Sequence, residues 1–222
     1  TAGGMKVTML GSGGSGGVPL PTPVPADGWG RCDPGNPRNR RRRVSVLVET
    51  QGRSVLIDTS PDLRDQVLAY GLGGLDAVLF THAHADHCHG IDDLRSLVYA
   101  RKDAIPAYMT AETRRQLTTK FDYIFTSSHT LQRLYPALLD DRVIADNGAF
   151  DAAGVPAVAF RQNHGNIDST GFRFGPFAYS TDAVELDEAA FEALQGIEVW
   201  IVDCLRFEPH PTHSHFDRTL EW

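Results

Sequence analysis

Apolar positions in this chain come in short runs separated by clusters of glycine, proline and charge, a spacing that predicts many strands and few long helices. Residues 5–10 form the first run. Residues 44–48 and 54–57 flank Gln51-Gly52 and predict a hairpin, whose second arm ends at Asp58-Thr59. Residues 76–80 include Ala77-Val78-Leu79-Phe80, too short and too β-branched or aromatic for a helix. Further strands are expected at residues 105–109, 155–160, 172–174 with 177–180 across Gly175-Pro176, and 199–202.

Helical spacing is rarer. Ser60-Pro61 reads as the N-cap and first turn of a helix over residues 62–70 that Gly71 ends. Ile91, Leu94, Leu97 and Val98 recur on one helical face, and Thr110 caps a helix running to Lys120. A helix over residues 186–195 stops at Gly196, and residues 216–222 begin another. Residues 121–140 fit neither period and are expected to be part helical and lid-like. Residues 19–39 hold six prolines and read as an ordered flap.

Two glycine- and charge-rich stretches have competing readings. Gly11-Ser12-Gly13-Gly14-Ser15-Gly16-Gly17 could cradle a phosphate with its backbone amides or could simply allow close backbone approach. With no following helix and no Walker lysine, the second reading is favoured. The arginines Arg38, Arg40, Arg41, Arg42 and Arg43 could gather round a phosphate or lie solvated at a strand's start, and the two readings stand level.

The chemistry concentrates in Thr81-His82-Ala83-His84-Ala85-Asp86-His87-Cys88-His89-Gly90, directly after the strand at 76–80. No turn requires imidazoles at this density, and metal binding explains them. His82 and His84, two apart, can share one ion, while the turn that follows presents Asp86 and His87 to a second. Nitrogen and carboxylate ligands suit zinc, manganese, iron or nickel, and the absence of a thiolate motif argues against a closed structural zinc site.

Composition narrows the rest. With 222 residues and 41% hydrophobic content the chain supports one large domain, residues 5–222, and Thr1-Ala2-Gly3-Gly4 before Met5 is expected to be a cloning remnant. A net charge of −7 disfavours nucleic acid as a partner. No apolar run approaches the ~20 residues of a membrane span, and a cytoplasmic location is expected. Three cysteines, Cys32, Cys88 and Cys204, make no disulfide framework.

The H-x-H-x-D-H signature resembles the metallo-β-lactamase superfamily. G-S-G-x-S-x-G-V-P, N-P-R-N-R-R-R, I-D-T-S-P-D-L-R, G-I-D-D-L-R, H-G-x-I-x-S-x-G-F-R and P-H-P-T-H extend the likeness over nearly the whole chain. They look like the branch containing the phosphoribosyl cyclic phosphodiesterase of phosphonate breakdown. The resemblance implies an α/β fold, a four-layer αββα sandwich. It implies two divalent metal ions, zinc or manganese with iron or nickel as alternatives, the first held by His82, His84 and His164, the second by Asp86 and His87, with Asp182 bridging. Asp86 counts with the catalytic residues too, and His213 is expected to protonate the leaving group, with His215 its rival.

The implied reaction is attack of a metal-bridging hydroxide on a small cyclic phosphate or nucleotide-like diester. The expected partner is thus a small phosphorylated substrate, and a homodimer is an allowed assembly. A thioesterase or lactonase on the same fold, or a metal-bound nucleotide-binding protein with little turnover, are the alternatives. Processing of transfer RNA would call for a longer basic arm than the arginine run supplies. Only Cys32 stands in the flap where the phosphonate enzyme has a cysteine-rich zinc loop, so that zinc is not expected. The branch also takes a further histidine for the second metal from a strand beyond the last helix, so a chain reaching only Trp222 is expected to lack that strand and to hold the second ion less tightly.

Overall fold

Neighbouring residues of the second strand part company: Val46 and Val48 join one buried cluster, while Leu47 joins another. The third and fourth strands repeat the division, with Val55, Ile57, Ala77 and Leu79 on one side and Leu56 and Val78 on the other. A strand alternates its side chains, so this sheet is covered on both faces. Each valine, leucine or isoleucine among them contributes about 1.5–3 kcal/mol by burial.

The computed structural model describes residues 4–22, 28–126 and 136–222. One sheet runs in sequence order: β1 (Lys6–Gly11), β2 (Ser45–Thr50), β3 (Arg53–Ile57), β4 (Ala77–Leu79), β5 (Ile105–Thr110) and β6 (Leu139–Ile144). The second contains β7 (Gly148–Asp151), β8 (Pro156–Asn163), β9 (Asp168–Phe174), β10 (Phe177–Ser180) and β11 (Val199–Val202), in the order β11-β10-β9-β8-β7. The helices are α1 (Leu63–Tyr70), α2 (Ala85–Cys88), α3 (Arg95–Arg101), α4 (Ala111–Lys120), α5 (Asp122–Phe125), α6 (Glu188–Leu194) and α7 (Phe216–Glu221).

Three apolar clusters separate four layers. Leu63, Leu97, Val98 and Leu117 of the helices pack on the outer face of the first sheet. Ala157, Ala159, Phe172, Phe174 and Tyr179 meet the first sheet's inner face across the middle. Ala190 and Leu194 of α6 cover Phe160 and Ala178 on the far face of the second sheet. The expected αββα sandwich is therefore present. Among the described residues no helix is long and apolar enough to cross a membrane.

The differences from expectation have local causes. β6 and β7 were not expected, because Asp140 and Asp141 in one and the single large apolar residue Phe150 in the other obscure any strand pattern. Ser60 is not the N-cap of α1, a place taken by Asp62, whose carboxylate accepts from Arg43 N at 2.7 Å, Nε at 2.6 Å and Nη2 at 2.7 Å instead of from the helix. The Ser60 carbonyl accepts from Leu63 N at 2.9 Å. The helix expected after the metal motif is a 3₁₀ turn, Ile91–Leu94, continued by α3. Part of the expected flap (23–27), the core of the expected lid (127–135) and residues 1–3 of the expected remnant lie outside the described residues.

Candidate metal centre

Where β4 ends, Thr81 begins the motif, and α2 is a single helical turn that presents Asp86 and His87. Asp58, just past β3, meets it. Thr59 N donates to His87 O at 2.8 Å and Gly90 N to Thr59 O at 2.9 Å. A Cβ at Gly90 would lie 2.0 Å from Ser60 O, which is why glycine closes the motif.

A chain of hydrogen bonds sets the histidine tautomers. Asp58 accepts from Thr81 N at 2.8 Å and from the Thr81 hydroxyl at 2.7 Å, and His87 Nδ1–H donates to it at 2.7 Å. With its proton committed to Asp58, the Thr81 hydroxyl accepts from His82 Nδ1 at 3.0 Å. Across the cleft, His164 Nδ1 donates to Thr212 O at 2.7 Å. Each of these three rings therefore turns Nε2 inward, the atom that would face an ion. His82 Nε2 and His87 Nε2 are buried without any hydrogen-bond partner.

The second sheet supplies the rest, His164 after β8 and Asp182 after β10. Asp182 Oδ2 lies 3.6 Å from His82 Nε2 and 3.3 Å from His164 Nε2, which is itself 3.3 Å from His84 Nδ1. Ligand atoms of His82, His84, His164 and Asp182 all fall within 4.8 Å of one another. The other oxygen, Asp182 Oδ1, faces His87 Nε2 at 3.3 Å, and Asp86 Oδ2 is 3.5 Å from the same nitrogen. One carboxylate thus stands between two ligand groups. Asp58 and Asp182 share a left-handed backbone, φ 61° and 52°, a conformation that costs about 1 kcal/mol outside glycine and is held by the packing around it.

The electrostatics follow from the same contacts and differ between the rings. Burial pushes the His82 pKa well below its ordinary range, aided by His87, so the ring is neutral. Burial acts the same way on His87, but the carboxylates of Asp58 and Asp182 outweigh it and raise its pKa well above the usual value. Burial favours a protonated Asp182, yet His87, His82 and His164 hold its carboxyl far below the carboxylate range.

His213 sits beside the candidate ligands, outside the group whose ligand atoms lie closest together. Its Nδ1 donates to Asp203 Oδ2 at 2.9 Å, and its Nε2 is 4.0 Å from Asp182 Oδ2. Burial lowers its pKa, but Asp203 and then Asp182 reverse that and raise it overall. His215 precedes α7 as its N-cap, with Nδ1 buried and unpartnered, and it does not line the cavity that His213 lines. That cavity is about 530 Å³, with His84, Asp86, His164, Asp182 and His213 on one side and Ser12 to Ser15 on another.

Glycines of that loop do serve close approach, since a Cβ at Gly11 would lie 2.0 Å from Arg43 O. Within the arginine run, Arg43 is taken by Asp62, and Arg40 lies over the Trp29 ring at 5.2 Å. Sequence reasoning noted Asp58 only as a strand end and passed over Thr81 and Asp203. Their common signal is a polar side chain within two residues of a strand's end.

The residues fit divalent metal ions. Inward ring nitrogens, two of them buried without a hydrogen-bond partner, a carboxylate between two groups and a nitrogen and oxygen donor set are what such ions require. Cys88 is no competitor: its thiol donates to Ala83 O at 3.5 Å and is pushed up to about 12 by burial.

Residues 53–222 match the family described as the β-lactamase superfamily domain. The crystal structure of a diphosphatase from the PhnP family superposes with a TM-score of 0.84 at 35% identity, covering 98% of this chain and 80% of that one. Zinc-bound PqqB from Methylobacterium extorquens shares the fold, with a TM-score of 0.67 at 21% identity over 91% of this chain and 73% of that one. A Porphyromonas gingivalis protein named octanoyltransferase is 30% identical over 98% of this chain but only 43% of its own length. The chain thus spans less than half of that curated relative, most of which lies outside the match.

Proposed function

The chain belongs to the metallo-β-lactamase superfamily, in its PhnP-like branch, and from that premise we propose that it is a metal-dependent hydrolase of a small phosphodiester or organic diphosphate. The observation that carries this reading is the shared carboxylate of Asp182, with one oxygen toward His82 and His164 and the other toward His87, beside a non-ligand histidine that faces the same cavity.

His82, His84, His164 and Asp182 would hold one ion, and Asp86, His87 and Asp182 the other. Ions held there, zinc or manganese by their donor set, would supply a water nucleophile at neutral pH and neutralise charge on the phosphorus-bound oxygens. The chain's own residues do the remainder. Asp58, Thr81 and the Thr212 carbonyl fix ring orientations before any substrate arrives. Asp203 holds His213 by Nδ1, which leaves Nε2 to carry a proton at the cavity wall. A proton there suits a departing alkoxide, the leaving group of a phosphodiester, which needs protonation at neutral pH.

The test is a screen of the metal-loaded protein against cyclic phosphodiesters, bis-p-nitrophenyl phosphate, a dinucleoside diphosphate, a thioester and a cephalosporin. Phosphoester or diphosphate cleavage is expected to dominate. Preferential turnover of the thioester or the lactam would overturn the reading and favour the carbonyl chemistry also known for this fold.

A further inference from the structure

We propose that His210 is a substrate-contacting residue of this cavity: its Nε2–H donates to an oxygen carried by the leaving group, so that leaving groups with an acceptor beside the departing oxygen are preferred. This rests on the hydrolase reading above and adds a specificity determinant to the same site.

His210 and His213 both line the cavity of the metal-ligand candidates, and their ring centroids lie 5.2 Å apart, tilted by 54°. His213 in turn stands 4.8 Å from the His164 ring. A leaving group whose oxygen takes its proton at His213 therefore has the His210 ring as a neighbour.

The segment Pro209-His210-Pro211 is stiff by sequence. Pro211 restricts His210 to extended backbone, and each proline fixes its own φ. Arg206 braces the approach, its Nε donating to Glu208 O at 3.1 Å and its Nη2 to Pro209 O at 2.7 Å. On the far side Thr212 packs onto Gly165, where a Cβ would lie 2.5 Å from Thr212 Cγ2, and Thr212 O accepts from the His164 ring at 2.7 Å. The loop that carries His210 is thus tied directly to a metal-ligand candidate.

Thr212 also decides which nitrogen of His210 carries the proton. Its backbone N–H can only donate, and it reaches His210 Nδ1 at 3.3 Å, with the Thr212 hydroxyl at 3.3 Å from the same atom. Nδ1 is therefore the acceptor, and the proton of the neutral ring sits on Nε2. Burial, then His213 and Arg206, lower the His210 pKa, so the ring is neutral at pH 7. Its Nε2 has no hydrogen-bond partner among the described residues. His213 is held the opposite way, with Nδ1 donating to Asp203 at 2.9 Å and Nε2 left to exchange a proton. The two rings divide the work: one transfers a proton, and the other holds an acceptor in place.

The experiment compares kcat/KM for bis-p-nitrophenyl phosphate and for bis(2-methoxy-4-nitrophenyl) phosphate. Their phenols are closely matched in acidity and leave without a proton, and they differ by one ether oxygen beside the leaving oxygen. Metal-loaded wild type is measured beside His210→Ala, His210→Gln and His210→Asn, with melting curves to verify folding. A glutamine amide N–H reaches the position of Nε2, whereas an asparagine amide reaches only that of Nδ1. In His210→Ala the ratio of methoxy-ester to reference-ester efficiency is expected to fall about 3- to 10-fold, chiefly through KM, to stay low in His210→Asn and to recover in part in His210→Gln. An unchanged ratio in His210→Ala overturns the contact. So does recovery in His210→Asn without recovery in His210→Gln, which would make the hydrogen bond from Thr212 the whole role of the residue. A wild type that cleaves the reference ester but excludes the methoxy ester overturns it as well. A wild type that cleaves neither ester overturns the hydrolase reading and the contact with it.

Discussion

His87 donates through Nδ1 to Asp58 at 2.7 Å, and neither side chain is exposed to solvent. The pair fixes one face of the ring and leaves the other, Nε2, toward Asp182 and Asp86. Asp58→Asn retains a side chain that tolerates the left-handed backbone at φ 61° but removes the charge. The variant is expected to fold, and to bind the ion shared by Asp86, His87 and Asp182 roughly 10- to 100-fold more weakly. Elemental analysis after graded dialysis reads this; undiminished retention of two ions would count against the assigned role.

Metal content should be unequal even in the wild type. The first group offers four protein ligands, His82, His84, His164 and Asp182, and the second offers three among the described residues. Chelator titration is expected to strip one ion before the other and to lower the melting temperature in two stages, since ligands bound only by the folded state add about 2.7 kcal/mol at a concentration a hundred times Kd. A single stage with simultaneous loss of both ions would contradict the difference.

His213 should set the alkaline limb of activity. Its folded pKa is raised, so the protonated form survives to a higher pH than an ordinary imidazole, and an activity that needs that proton declines as pH rises through the folded value. Bound ions would absorb much of the attraction from Asp182 and leave Asp203 as the main support. Asp203→Asn is therefore expected to move the alkaline limb of kcat/KM downward. The same sign holds for stability: the ion pair contributes fully below the unfolded pKa of about 6.5 and is lost as pH rises through the folded value.

His213→Ala should cut turnover by ~10² to 10⁴ for an alkoxide leaving group, with a far smaller loss on p-nitrophenolate, while metal content stays constant. An equal loss on both substrates would remove the general-acid assignment.

Thiol chemistry gives a test independent of turnover. Cys88 is fully buried and its thiol is pushed up to about 12, whereas Cys32 and Cys204 are exposed. In the native protein a thiol reagent should label two cysteines quickly and Cys88 only on unfolding. Cys204 also lines the cavity, so its alkylation is expected to slow turnover, an effect that added substrate should oppose. Rapid labelling of all three would show that the packing round α2 is looser than described.

Much of this was legible in the chain, for reasons that differ by residue. His82, His84, Asp86 and His87 announce themselves because a single turn brings contiguous residues together. His164 and Asp182 sit on the other sheet, and only the family resemblance marked them out of the many polar residues that follow strands. Asp58 and Asp203 act through a histidine rather than beside it in sequence, and no spacing rule reports a partner 29 or 10 residues away. β6 stayed hidden because its consecutive aspartates lie on the edge strand of the first sheet, where partly exposed positions tolerate charge. The tight glycine loop was read correctly as close backbone approach, but nothing in the sequence shows that its other side faces the cavity.

The distribution of ligands over two sheets has a mechanical consequence. His84 and His164 lie 80 residues apart in sequence yet bring ring nitrogens to 3.3 Å. An ion gripped by both would tie the sheets as a covalent bridge does, and by the loop-closure relation a tie across that span removes on the order of 4 kcal/mol of entropy from the unfolded chain. Stripping the ions would then do more than take away a reagent: it would cut the staple between the two sheets, and amide exchange at the ends of β4, β8 and β10 should quicken before the outer helices respond.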